Sequence, residues 1–418
     1  MRTKMPRPKA SPGRGRRGAL LAVSAITAAL WLLARPALAA GEAEAPPAPE
    51  ALFSASPGSG VTLRAPGGRF ELNLRARAQI RDTIARTGDE VTNEINVKTI
   101  RLNLAGHLLE RDLRYRVQLA FGARDFEADN PSPIFDAHLD YVGLRDLNIR
   151  VGQFLVPFDR ARTTREYALE LVDRQSVVRE LSLDRDVGLM VSSEDLFGAG
   201  GRLGYHLFVG GGEGKNRFGG AKLGPLVIGR FVFRPFGPFD DDQEGDLART
   251  PTPKLALGVA GAYNSRTDRA SSTFGTILTL GTYDYAHGAA DLVFKWRGFS
   301  LLVEGLLRRA FGPTLAATKD GVTKQEPSRA GYGYFAQAGW MLTRHVEIAG
   351  RWEQLFAIDG TDPALVKLAG TQGNQAGGGL SVYLNGHLLK AQGDYFAGFG
   401  KAGGDIHHQI RLQLDASF

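Results

Sequence analysis

The sequence predicts an all-β protein, a transmembrane antiparallel β-barrel of about sixteen strands, and three observations predict it. Apolar and polar residues alternate with period two in segments of roughly ten residues, the length a tilted membrane-crossing strand needs. This alternation recurs from Phe70 to the end of the chain with turn residues between the segments. The chain closes on DIHHQIRLQLDASF, where Ile410, Leu412, Leu414, Ala416 and Phe418 alternate up to a terminal aromatic.

The first clear strand is FELNLRARAQIR. Phe70, Leu72, Leu74, Ala76, Ala78 and Ile80 fall on one face, and Glu71, Asn73, Arg75, Arg77, Gln79 and Arg81 on the other. A helix would not separate them in this way, because its side chains repeat every 3.6 residues rather than every second one. The same reading places strands at 70–82, 95–107, 112–123, 134–144, 147–155, 185–194, 202–210, 226–234, 254–263, 286–296, 298–310, 332–343, 345–354, 375–385, 387–397 and 405–418. That is an even number, as a closed single-chain barrel requires. Short connections such as 144–147 and 343–345 alternate with long ones such as 311–331 and 355–374, the asymmetry expected of short periplasmic turns opposite long outer loops. Aromatics such as Tyr263, Trp296, Tyr332, Trp340 and Trp352 fall near strand ends, where interface girdles lie.

The N-terminal 39 residues read as a signal peptide. A basic start is followed by the apolar stretch ALLAVSAITAALWLLA, and Ala37-Leu38-Ala39 then supplies a small-x-small cleavage site. The apolar stretch is shorter than the roughly 20 residues of a spanning helix. Cleavage near Ala39 would deliver the chain across the inner membrane. Residues 40–59, rich in Ala, Pro and Glu, are expected to form a flexible leader, and 60–418 one barrel domain. The formal charge of +7 belongs to the first segment, which carries eight basic residues and no acidic one. The remainder holds 43 basic against 44 acidic residues, so the high isoelectric point gives no argument for nucleic-acid binding. With no cysteine, the exported chain is held by its core or a closed sheet rather than by disulfides.

Three stretches resemble the phosphate-selective porin O and P family. They are VGQFLVPFDRARTTREYALELVDRQSVVRELSLDRDVGLMV at 151–191, GYGYFAQAGWML at 331–342, and GLSVYLNGHLLKAQGDY at 379–395. The resemblance implies a sixteen-stranded, water-filled barrel of the bacterial outer membrane, usually a homotrimer, with one inward-folded loop narrowing each pore. It implies small hydrophilic solutes or anions such as phosphate as cargo, and contact with outer-membrane lipid and lipopolysaccharide. The terminal Phe418, with Leu414 and Leu412, resembles the signal read by the barrel-assembly machinery.

In such a channel, rings of basic side chains select anions and rings of acidic ones select cations. The early strands carry Arg75, Arg77, Arg101, Arg114, Arg116 and Arg150 on their polar face, which predicts a basic stripe down one wall and an anion path. Arginine suits that role, since it stays charged and its planar fork fits phosphate or carboxylate oxygens. The alternative is that these arginines pair with acidic neighbours across the barrel. The expected constriction loop, 157–184, mixes Arg160, Arg162, Arg165, Arg174 and Arg179 with acids that include Asp173 and Asp184. Its pairs either set a transverse field or hold the loop against the wall. The run EYALELVD has helical spacing and predicts a short helix in the loop. The acidic run FDDDQEGD at 239–246 is read as an outer loop, loosely attracting divalent ions, with no resident metal or cofactor expected. No hydrolase, metalloprotease or phosphate-loop motif stands out, and the chain is not expected to be an enzyme. A non-selective porin, a plugged barrel and an outer-membrane enzyme remain as alternatives.

Overall fold

The computed structural model describes residues 52–122, 125–126, 131–217, 224–400 and 404–418. The expected signal peptide and residues 40–51 of the expected leader lie outside the described residues. The chain begins with a hairpin, β1 (Leu52–Ser56) and β2 (Gly60–Arg64). Eleven long strands follow: β3 (Phe70–Thr87), β4 (Glu90–Leu108), β5 (Glu110–Ala120), β6 (Ile134–Tyr141), β7 (Asn148–Leu155), β8 (Arg185–Ser193), β9 (Leu203–Gly210), β10 (Leu226–Phe233), β11 (Lys254–Thr267), β12 (Tyr283–Trp296) and β13 (Phe299–Phe311). A small separate hairpin, β14 (Leu315–Lys319) and β15 (Val322–Glu326), interrupts them. Five more complete the set: β16 (Gly331–Met341), β17 (Val346–Ala357), β18 (Asn374–Asn385), β19 (Leu389–Phe399) and β20 (His407–Ser417).

Every neighbouring pair from β3 round to β20 is antiparallel, β13 pairing with β16 across the small hairpin. β20 then pairs with β3 from His407↔Thr87 to Ser417↔Arg77 and closes a sixteen-stranded barrel. The main-chain N–H and C=O of Phe418 both bond Ala76, at 2.9 and 2.8 Å, so the last residue completes the seam. All sixteen strands fall where the alternation predicts them. β3 and β4 run longer than expected because a two-residue turn at Gly88, which takes φ 57°, lets both continue.

The alternation resolves into an inverted burial pattern. Ile80, Ile95, Val259, Trp340, Leu412 and Phe418 are exposed on the outside, and Arg81, Asp291, Glu304, Arg308, Gln337, Lys390 and Asp415 are buried within. A soluble barrel would show the reverse. A continuous apolar exterior of this extent is the mark of a surface facing lipid.

The two ends of the barrel differ. The chain terminus and the connections 109, 142–147, 194–202, 234–253, 297–298, 342–345 and 386–388 share one end, here the turn end. The connections 88–89, 121–133, 156–184, 211–225, 268–282, 312–330, 358–373 and 400–406 share the other, the loop end. Three expectations change. The stretch 52–59, assigned to the flexible leader, is strand and turn: β2 pairs with the first residues of β3, where β20 has ended, and carries β1 with it. The acidic run 239–246, expected as an outer loop, is not a solvated one. It lies in the connection 234–253 at the turn end, folded inward, with Asp241, Glu244 and Asp246 buried because arginine, glutamine and backbone N–H groups satisfy them. The predicted helix over EYALELVD is absent beyond one 3-10 turn at Glu166–Ala168. The N–H groups of Glu170 and Val172 go instead to the carboxylates of Glu244 and Asp394, at 2.9 and 3.0 Å, and these outcompete helical bonds. The loop's helices lie on either side, α1 (Arg160–Thr163) and α2 (Ser176–Leu181).

Candidate functional site

Strand parity aims the polar side chains of β3 to β8 into the lumen, and the connection 156–184 enters it from the loop end. Its apolar side chains Phe158, Val177, Val178 and Leu181 pack with Ala260, Ala289, Val293, Leu302 and Leu306 of the β11–β13 wall, so this half of the lumen is filled. The wall makes room locally. In GYGYFAQAGW the aromatics Tyr332, Tyr334 and Trp340 point out, while Gly333 and Gly339 face in. A Cβ at Gly339 would come within 2.2 Å of the Glu170 carboxylate, and one at Gly333 within 3.0 Å of Val177. Glycine there is what lets the loop sit against the sheet.

Polar contacts finish the docking. Asp159 caps α1 by accepting the Arg162 N–H at 2.7 Å, and Glu353 of β17 accepts the N–H of Ser176 at 2.7 Å at the start of α2. Arg160 donates to Asp291 at 2.6 Å and Asp241 at 3.0 Å. Arg174 donates to the carbonyls of Ala161 and Thr164, bracing the loop on itself. Arg162 pairs with Asp184 at 2.7 Å, and Arg179 lies 3.6 Å from Asp173. Asp173 also takes Arg81 at 2.9 Å. Burial pushes the Asp173 and Asp184 carboxyls up, but the arginines around each outweigh burial and hold both well below the usual carboxylate range. Glu166 is drawn down to about 2, where burial is overcome by Arg101, Arg174, Arg77 and Arg162. Glu170 goes the other way, raised by burial and by Glu244 beside it.

The remaining lumen runs along the β3–β8 wall. A cavity of about 720 Å³ opens there from the turn end, and one of about 120 Å³ lies beyond it. Both are lined by Arg162, Glu166 and Arg174, which therefore stand between them. The larger cavity is lined by Arg75, Arg77, Arg101, Arg116, Arg160, Arg162, Arg165, Arg174, Arg185, Arg230 and Arg234, against the acids Asp136, Glu166, Glu194 and Asp242.

The predicted stripe is thus divided. Arg75, Arg77, Arg101 and Arg116 line the cavity; Arg114 and Arg150 are not among its lining residues. Arg77 and Arg101 face each other across β3 and β4, a repulsive register relieved by Asp415 on one and Asp125 on the other. Arg150 pairs with Asp140 at 2.5 Å. Arg75, Arg114, Arg116 and Arg165 have no carboxylate within ion-pair distance among the described residues; Arg165 donates to the Tyr167 hydroxyl at 2.7 Å. Sequence reasoning missed Arg185, Arg230 and Arg234. Arg185 lies over the Phe135 ring at 3.5 Å and pairs with Asp136, and Arg230 and Arg234 hold Asp291 and Asp241. The inward parity of Arg230 and Arg234 was readable from Ile228, Arg230 and Val232 on β10, but the apolar inner neighbours masked it.

No family model and no curated relative matches the chain. Among solved structures it is similar to OmpF of Salmonella typhi in complex with daunomycin, at 14% identity and a TM-score of 0.53, covering 84% of this chain and 98% of that one. It is also similar to an anion-selective porin from Comamonas acidovorans, at 12% identity and a TM-score of 0.53, covering 84% of this chain and all of that one. The fold is that of the bacterial outer-membrane porins.

Proposed function

We propose that the chain forms a water-filled pore in the bacterial outer membrane through which small hydrophilic solutes diffuse passively, with a preference for anions. The carrying observation is the larger cavity, lined by eleven arginines and four acids, with Arg75, Arg116 and Arg165 left without carboxylate partners among the described residues. Fixed positive charge in a narrow, weakly screened passage raises the local concentration of anions and excludes cations. Phosphate is one permeant of this class, as the resemblance to the O and P family suggests. In this reading the turn end faces the periplasm, a signal peptide exports the chain, the alternating C-terminus ending in Phe418 recruits the barrel-assembly machinery, and three copies assemble within the lipid and lipopolysaccharide layer.

The test is the reversal potential of the purified mature chain in a planar bilayer under a KCl gradient, with and without phosphate. A chloride-favouring potential supports the reading, and competition by phosphate extends it to that ion. A potential near zero points to the non-selective porin that the Arg77–Asp415 and Arg101–Asp125 pairs would favour. A silent, correctly folded barrel sinks both.

A further inference from the structure

The connection 234–253 is the longest at the turn end, and it does not stay at the rim. It leaves β10, crosses the mouth and reaches the turn between β18 and β19, where Gln243 meets His387 at 2.7 Å. Six barrel strands separate those two points, so the segment spans most of the opening. Its base is fastened at the rim: Asp246 accepts the N–H groups of Thr250 and Gly298 at 2.9 and 2.7 Å. Its middle is fastened inside. Lys295 of β12 donates to the carbonyls of Asp240 and Gly245, both at 2.8 Å. Glu244 bonds the inward loop three times, accepting the Glu170 N–H at 2.9 Å and the Gln175 side-chain amide at 3.4 Å and donating its own N–H to the Ala168 carbonyl at 3.1 Å. Asp241 joins Arg160 of that loop to Arg234.

We propose, on the reading of the chain as a pore, that 234–253 is a second constriction element. It straps the turn-end mouth, confines passage to the arginine side and holds the inward loop in register from beneath. Two features of the geometry support this. Asp242 is exposed and lines the larger cavity together with Arg234 and His387, so the strap forms part of the wall of the passage. Asp241 and Glu244 on either side of it are buried and engaged by the loop, so strap and loop are one polar unit rather than two independent obstacles. A solute entering from the turn end passes the strap before it meets Arg162, Glu166 and Arg174.

The full chain has no cysteine, which makes the test direct. Asp242→Cys is placed in a planar bilayer and treated with a bulky anionic methanethiosulfonate. Current is expected to fall by roughly twofold or more on labelling, and the unsubstituted chain to be unaffected. Unchanged current after labelling shown complete by mass would place the strap off the path and overturn the proposal. In a second variant, Asp241→Ala with Glu244→Ala, unfastening the strap is expected to raise conductance and current noise. If that variant keeps the heat-modifiable mobility of a folded barrel and its conductance is that of the parent, the holding role is wrong. A parent chain that carries no current at all would refute the pore reading itself, and that result is read before any variant is made.

Discussion

Arg116 and Arg160 face the same cavity and have opposite consequences. Arg116 has no carboxylate within ion-pair distance among the described residues, so its charge is offered to the lumen. Arg116→Ala is expected to lower anion preference in reversal-potential measurements while leaving thermal stability nearly unchanged, as is Arg165→Ala. Arg160 holds Asp241 and Asp291, all three buried. Removing it leaves each buried carboxylate one arginine short, Asp291 keeping Arg230 and Asp241 keeping Arg234, and Arg160→Ala is expected to cost about 1.5–3 kcal/mol in chemical denaturation. The carboxylates of the loop also set an acid limit. Glu166, Asp173 and Asp184 are held below their ordinary values, so their contribution to stability is complete above the unfolded value and is lost as pH falls through the folded one. With Glu166 at about 2, the thermal midpoint should hold from pH 7 to about 5 and decline between about pH 4 and 2. A decline already complete at pH 5 would contradict the arrangement.

At the scale of elements, the loop is placed by absent side chains as much as by present ones. Gly339→Val puts carbon where the Glu170 carboxylate lies, and the loop must give way. The expected outcome is a destabilisation of about 1–3 kcal/mol with a larger and noisier single-channel conductance. A variant with parental conductance would mean that the loop adjusts without moving from the passage. The β1–β2 hairpin makes the converse case. It pairs only with the start of β3, and closure through β3 and β20 is complete without it. Deleting 52–64 is expected to leave a heat-modifiable folded barrel.

At the scale of the molecule, the outer face and the lumen obey different rules along one strand. Leu412 is exposed on the apolar exterior, and its neighbour Gln413 is buried inside. Leu412→Arg is expected to cost up to about 2–4 kcal/mol in folding into lipid vesicles, depending on its depth. Gln413→Glu alters the lumen rather than the lipid contact and is expected to change selectivity more than stability. Equal costs for the two would deny the inverted burial pattern.

The barrel was legible because its signal is local. Alternation along each strand needs only the side chains of that strand, and sixteen such segments leave a closed sheet as the economical way to pair every edge. The parity that sends Arg75, Arg77, Arg101 and Arg116 inward follows from the same period of two. Charge and spacing were not enough for the rest. Arg77 meets Asp415, and Arg160 meets Asp291, across more than a hundred residues of chain, so whether an arginine is free or paired depends on which strands the closed curvature brings face to face. The helix expected in EYALELVD was lost to carboxylates from Asp394 and Glu244. The run FDDDQEGD looked like a solvated outer loop because nothing in its own residues reveals the lysine and arginines that await it inside the barrel. Alternation along single strands therefore determined the barrel and the sign of much of its inner wall. Only tertiary structure decided which charges stay open to a passing solute, because burial and pairing are properties of the assembled lumen.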